Sequence, residues 1–194
     1  MRRLARDAIR GMERLLHPLR RRRASRELSA LGASCSILVV CLGNICRSPY
    51  AARRLDHDLP AVGLGEADVG SAGFILPGRT SPEPARRVAA RRGLDLSDHR
   101  SQVLTPSMLA AADLVLVMSA RQRRDLRREF GREHVRRCVV LGDLDPGPVD
   151  RRTVVDPYGC PDDVFEAVYE RIDRCCRALV GGLAADRRRA KGSV

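Results

Sequence analysis

The stretch Ser-Ile-Leu-Val-Val-Cys-Leu-Gly-Asn-Ile-Cys-Arg-Ser-Pro, residues 36–49, constrains this chain more than any other. The apolar run from Ser36 to Val40 reads as a buried strand that delivers Cys41 at its end. Gly43 and Asn44 then open a short loop. Ser48-Pro49 suits the first turn of a helix, with Ser48 as N-cap and Pro49 at N1. A strand running through a tight loop into a helix N-terminus aims backbone N–H groups and a helix dipole at one spot. That field favours sulfur as thiolate. Arg47 adds a planar, permanently charged fork that matches phosphate oxygens. These residues alone predict a cysteine nucleophile in an anion cradle, and hence phosphoryl transfer.

From Ser36 onward, apolar runs alternate with helical stretches. Strands are expected at Ser36–Cys41, Ala67–Ser71, Asp113–Met118 and Cys138–Leu141. Helices are expected from Ser48 to Asp58, from Pro82 to just before Gly93, at Pro106–Ala112, from the end of the third strand to about Phe130, and at Pro161–Val180. The fold class is therefore α/β: a four-stranded parallel sheet with helices on both faces, in flavodoxin-like strand order 2-1-3-4. In such a sheet the ligand lies at the carboxyl ends of the strands. The Pro/Gly/Asp-rich stretch 142–161 is a long loop of the kind that carries function. Residues 34–181 form the expected domain, 1–33 a basic N-terminal extension, and 182–194 a basic disordered tail.

In the extension, Leu4, Ala8, Met12, Leu15 and Leu19 recur at helical spacing, with Arg2, Arg3, Arg6, Arg10 and Arg14 between them. Such a helix suits peripheral contact with an anionic membrane through residues 1–23. It equally suits a disordered extension, a helix docked on the domain, or a start codon assigned too far upstream. Lys+Arg 36 against Asp+Glu 24 gives a net charge of +12, yet aromatics are only 3% and no aromatic-interleaved basic patch is present. Nucleic-acid binding is therefore not expected. The seven cysteines are odd in number and irregularly spaced, which fits neither a disulfide framework nor a zinc site. A reduced, cytoplasmic setting suits them. The Arg- and Ala-rich composition reads as a GC-rich bacterial genome.

Cys41-Leu42-Gly43-Asn44-Ile45-Cys46-Arg47-Ser48-Pro49 resembles the signature loop of the low-molecular-weight protein tyrosine phosphatases. Asp156-Pro157-Tyr158-Gly159 is similar to that family's acid loop, and Ser71-Ala72-Gly73, Asp98-His99-Arg100, Phe165–Tyr169 and Arg174–Ala178 follow its order. The resemblance covers roughly Ser36 to Val180. It implies Cys41 as nucleophile, Arg47 as phosphate ligand and Asp156 as general acid and then base, without metal or cofactor. It implies a phosphate seat formed by Leu42, Gly43, Asn44, Ile45, Cys46 and Ser48, with the Asn44 side chain holding the loop and the Ser48 hydroxyl meeting the thiolate. Tyr158 would flank the substrate ring, Ser71 would brace the loop through Asn44, and His99 would pack beneath it. Cys46, with Cys160 as competitor, would pair reversibly with an oxidised Cys41. Gly159 departs from the family, which often carries a second aromatic there. Phe74-Ile75-Leu76-Pro77 stands about where another slot wall is expected.

The implied substrate is a phosphotyrosine protein, with a bacterial tyrosine kinase of polysaccharide export as the expectation by analogy. Three other readings share the fold or its phosphate seat. An arsenate reductase needs two relay cysteines just after the third strand, and Ser119–Leu126 holds none, leaving Cys138 and Cys160 to substitute. A phosphoarginine phosphatase typically has Thr where this chain has Ile45. A non-catalytic phosphate-binding module would leave Cys41, Arg47 and Asp156 together without purpose.

Overall fold

The computed structural model describes residues 2–29, 31–32, 34–133 and 137–191, with side chains from residue 9 to residue 189. Four parallel strands, β1 (Ser36–Cys41), β2 (Asp68–Gly73), β3 (Leu114–Val117) and β4 (Cys138–Val140), lie in the order β2-β1-β3-β4. Val39 pairs with both Ser71 and Leu116, which makes β1 central. β1, β3 and β4 are apolar almost throughout because both faces are covered, whereas the edge strand β2 carries Asp68, Gly70, Ser71 and Gly73. Ile37, Val39 and Cys41 belong to one core with Leu114, Leu116 and Val139, whereas Leu38 and Val40 belong to a second with Val115, Val117 and Val140. This strict alternation is the pleat of β1 read out as packing.

On the first face pack α2 (Arg47–Asp58), α3 (Glu83–Arg91) and α6 (Asp162–Lys191), contributing Tyr50, Leu55, Val88, Phe165 and Ile172. Tyr50 of α2 stacks on Tyr169 of α6 with ring centroids 3.6 Å apart, a contact worth about 1 kcal/mol beyond simple burial. On the second face lie α4 (Pro106–Ala111) and α5 (Ala120–Phe130), through Leu109 and Leu126. Thr105 and Ser119 cap these two helices by accepting from the N–H groups of Met108 and Gln122.

Both termini are helical. The N-terminal segment forms α1 (Arg2–Leu28), docked on the domain, one of the readings left open for it. Ala24 and Leu28 enter the first core, and the His17 Nε2–H donates to the Asp145 carbonyl at 2.8 Å. The docked face is not the periodic apolar one: Met12, Leu15 and Leu19 all point to solvent. The side chains of Arg2, Arg3, Leu4, Arg6 and Ala8 lie outside the described residues. At the other end, α6 continues to Lys191 instead of yielding to a disordered tail. Gly181-Gly182 reads locally as a helix stop, but α1 supplies a partner for the extra turns. Leu183 and Ala184 are buried there, and a Cβ on Gly182 would lie 3.9 Å from Leu28 Cδ1. Residues 192–194 of the expected tail lie outside the described residues.

Candidate active site

The central strand ends at Cys41, and the chain turns through Leu42–Cys46 into α2. The helix begins at Arg47, with Cys46 in the cap position and no side chain capping it. Ser48 is therefore not the N-cap. Its hydroxyl, freed of that task, donates to Cys41 Sγ at 3.1 Å and can stabilise a thiolate. Cys41 is only 2% exposed, yet it lines a cavity of about 190 Å³. The sulfur faces that cavity from deep within the sheet's rim.

Asn44 holds the loop in shape. Its φ of 50° lies in the left-handed region, which Asn tolerates better than most residues. The side-chain amide donates to Ser48 Oγ and Ser71 Oγ, both at 2.9 Å, and its Oδ1 accepts from the Gln102 N–H at 3.0 Å. The His99 Nε2–H reaches the Asn44 carbonyl at 2.6 Å. Burial holds the His99 pKa below its ordinary value, and Arg53 repels a second proton, so His99 is a neutral donor. Tyr169 adds a hydroxyl bond to the Cys46 carbonyl at 3.1 Å. These two bonds tie the carbonyls of Asn44 and Cys46 to the protein around the loop. Asn44 and Ser48 stand behind the seat, while Leu42, Gly43, Ile45 and Cys46 line it.

Gly73, opposite Cys41 in the register, makes this approach sterically feasible. A Cβ there would lie 2.8 Å from both the Asn44 nitrogen and the Leu42 oxygen. Only glycine lets the end of β2 touch the loop so closely.

The Arg47 guanidinium spans the cavity. One Nη donates to the Val154 carbonyl at 3.2 Å, the other pairs with Asp156 Oδ2, and Nε is buried without a partner. Asp156 thus reaches the cavity from the long loop, and its Oδ1 accepts from the Tyr158 N–H at 3.3 Å. The turn closes with the Cys160 N–H on the Pro157 carbonyl at 2.9 Å. Gly159 holds φ 78° inside it, a conformation that a second aromatic would occupy under strain. Tyr158, 58% exposed, forms one wall and Ile75 another.

Two contributors were not visible in the sequence. Arg79 lines the cavity with its guanidinium 5.7 Å from the centroid of the Tyr158 ring. Gln102 braces Asn44 from its backbone and the Ser71 carbonyl from its side chain at 2.8 Å. The other cysteines are placed differently. Burial, then the charges of Asp156 and Cys41, push the Cys46 thiol up to about 12, so it stays protonated. Cys138 belongs to the opposite core, where burial also pushes it up to about 12, and neither it nor Cys160 lines this cavity. A disulfide relay from Cys41 through Cys138 would have to cross the sheet. Among the described residues no cluster of His, Cys, Asp and Glu is arranged to hold a metal.

Residues 36–189 match the family profile of low molecular weight phosphotyrosine protein phosphatases. The chain is 36% identical over 150 residues to the probable low molecular weight protein-tyrosine-phosphatase EpsP of Ralstonia nicotianae, covering 77% of this chain and 97% of that one. It is also 36% identical over 154 residues to the low molecular weight phosphotyrosine protein phosphatase of Sus scrofa, covering 75% and 93%. The crystal structure of the Erwinia amylovora tyrosine phosphatase AmsI superposes with a TM-score of 0.67 at 34% identity, over 76% of this chain and 92% of that one. The YwlE arginine phosphatase of Geobacillus stearothermophilus superposes with a TM-score of 0.70 at 28% identity, over 80% and 96%. The chain belongs to the low-molecular-weight phosphotyrosine protein phosphatase family and is an enzyme of that class.

Proposed function

We propose that this enzyme hydrolyses phosphotyrosine in proteins through a cysteinyl-phosphate on Cys41. The observation that carries the reading is one cavity lined by Cys41, Arg47 and Asp156 together and walled by Ile45, Ile75 and Tyr158. The sulfur attacks phosphorus in line while the loop amides and Arg47 hold the three equatorial oxygens. Asp156, in its protonated form, gives its proton to the leaving phenolate oxygen, and the P–O bond breaks as the P–S bond forms. The resulting carboxylate then takes a proton from water, whose oxygen displaces the sulfur and releases inorganic phosphate. The Ser48 hydroxyl supports the sulfur anion at the start and the end of this cycle.

The recessed sulfur supports an aromatic ester, since a phenyl ring extends far enough to place its phosphate there while Tyr158 stacks on it. Phosphoarginine is the second reading, favoured by the likeness to an arginine phosphatase. The apolar Ile45 in the seat opposes it, offering no hydroxyl to a guanidinium phosphate. Steady-state kinetics on phosphotyrosine, phosphoserine and phosphoarginine peptides test the assignment. Preference for phosphotyrosine, abolished in Cys41→Ser, is expected. Preference for phosphoarginine, or full turnover by Cys41→Ser, refutes it.

Location and partner follow as part of the same proposal. No described helix is long and apolar enough to cross a membrane. The cysteines are all free, which supports a reducing, cytoplasmic setting. Ile9, Met12, Leu15 and Leu19, each more than half exposed, form a stripe on α1 opposite its docked residues. Arg22 and Arg26, also exposed, continue that face. Apolar insertion beside guanidinium groups fits an anionic lipid surface, whereas two copies of this face would repel. A membrane-associated tyrosine kinase is the corresponding substrate. Co-sedimentation with phosphatidylglycerol vesicles, lost in Leu15→Glu/Leu19→Glu, is expected. Dimerisation without vesicle binding overturns the assignment.

A further inference from the structure

A second cavity, of about 220 Å³, opens between α1, α5 and β4, away from the phosphate seat. Arg20 and Arg23 of α1, Arg123 and Arg127 of α5, and Arg152 of the acid loop all line it. Two of these are already matched. Arg20 pairs with Glu13 at 2.5 Å, and Arg152 makes two bonds of 2.6 Å to the buried Asp143. The side chains of the half-buried Arg123 and of the exposed Arg23 and Arg127 make no hydrogen bond or ion pair with a described residue. Besides Asp143, Glu27 is the one carboxylate in the wall, so five cations face two anions.

Burial first, then repulsion from Arg152 and Arg127, draw the Arg123 pKa below the ordinary arginine value, against a smaller pull from Asp143. Guanidinium groups that outnumber the carboxylates around a partly enclosed space repel one another until an anion joins them. Their forks match the oxygens of a phosphate group.

We infer that this arginine cavity is a second anion site, which binds a phosphate group carrying at least two negative charges, either free or on a lipid headgroup. The inference is independent of which phosphoester the cradle hydrolyses. It lies partly outside the region matched by the family, because α1 supplies one wall. The site also touches the acid loop. Arg152 stands four residues before Asp156, and its carbonyl presses on the turn Leu141–Leu144 so closely that a Cβ on Gly142 would lie 2.1 Å away. An anion that shares Arg152 with Asp143 therefore bears on the segment that carries the general acid.

The test is calorimetric titration with inorganic pyrophosphate, using Arg47→Ala to remove binding at the cradle. One remaining site is expected. It should weaken by about tenfold or more in Arg47→Ala/Arg123→Gln/Arg127→Gln and recover in part in the corresponding double-Lys protein. Arg123→Gln/Arg127→Gln alone should turn over para-nitrophenyl phosphate like the wild type, which shows that the fold survives. In a second arm, wild type is sedimented with phosphatidic acid or phosphatidylcholine vesicles. Selective binding to phosphatidic acid that needs Arg123 and Arg127 and is displaced by pyrophosphate identifies the lipid source. Pyrophosphate binding without vesicle binding identifies a soluble one. No pyrophosphate binding by Arg47→Ala, or binding unchanged by the Gln pair, overturns the inference.

Discussion

Replacing Asn44 by alanine isolates the device that shapes the phosphate loop. The side chain is fully buried and makes three hydrogen bonds, to Ser48, Ser71 and the Gln102 N–H. At about 1 kcal/mol net for each, their loss costs about 3 kcal/mol. Alanine at φ 50° adds about 1 kcal/mol of backbone strain. Asn44→Gly removes the bonds without that strain, so it should be about 1 kcal/mol more stable than Asn44→Ala. Catalysis should fall in both. Ser48 loses the donor that orients its oxygen, and its bond to the sulfur anion is worth about 2 kcal/mol, a fall in kcat of about thirtyfold. Urea denaturation gives the stabilities, and para-nitrophenyl phosphate turnover gives the rates. An Asn44→Ala protein within 1 kcal/mol of wild type and with unchanged kcat would refute the reasoning. Equal stabilities of the Ala and Gly proteins would refute the strain component alone.

Asp156→Ala should lower phosphotyrosine turnover by about 10²–10⁴-fold, and para-nitrophenyl phosphate turnover by less, because para-nitrophenolate leaves without a proton. Equal losses on both esters would show that Asp156 is not the acid. His99 is held neutral by burial, so the unfolded chain binds its proton first on acidification. Stability should therefore fall as pH drops from about 6.5 through the lower folded-state pKa, a slope that denaturation of His99→Gln should flatten. Removing residues 1–29 bares Leu183 and Ala184 and strips the Asp145 carbonyl of its donor. Thermal melting should drop by roughly 5 °C or more, corresponding to about 2 kcal/mol. An unchanged melting point would mean that α1 does not dock.

The cradle was legible because it is local. Strand, loop and helix start occupy consecutive residues, and Cys41 and Arg47 need only six positions to meet. Asp156 was found by its Asp-Pro-Tyr context, since the acids around it carry the same chemistry. The contributions of Arg79 and Gln102 depend on two separated loops closing over the cradle, which no spacing announces. The contact between helices α1 and α6 is hidden in the sequence for a related reason. The obvious apolar stripe of α1 is the exposed one, while the packing face uses His17, Ala24 and Leu28. The closing helix, expected to end at Val180, runs on through Gly181-Gly182 because α1 gives the extra turns a partner.

The engagement of Arg47 with Asp156 also bears on which ions can occupy the seat. An incoming anion must draw the guanidinium from a carboxylate that already neutralises it, with only the unpartnered Nε free to greet the first oxygen. A singly charged ion offers that guanidinium nothing better than the arrangement it leaves. A dianionic ester does, and it releases the aspartate toward the leaving oxygen in the same exchange. The resting pair thus favours dianions over chloride and other monoanions, and it frees the carboxylate, which becomes the proton donor once it has taken up a proton, only when cargo has arrived.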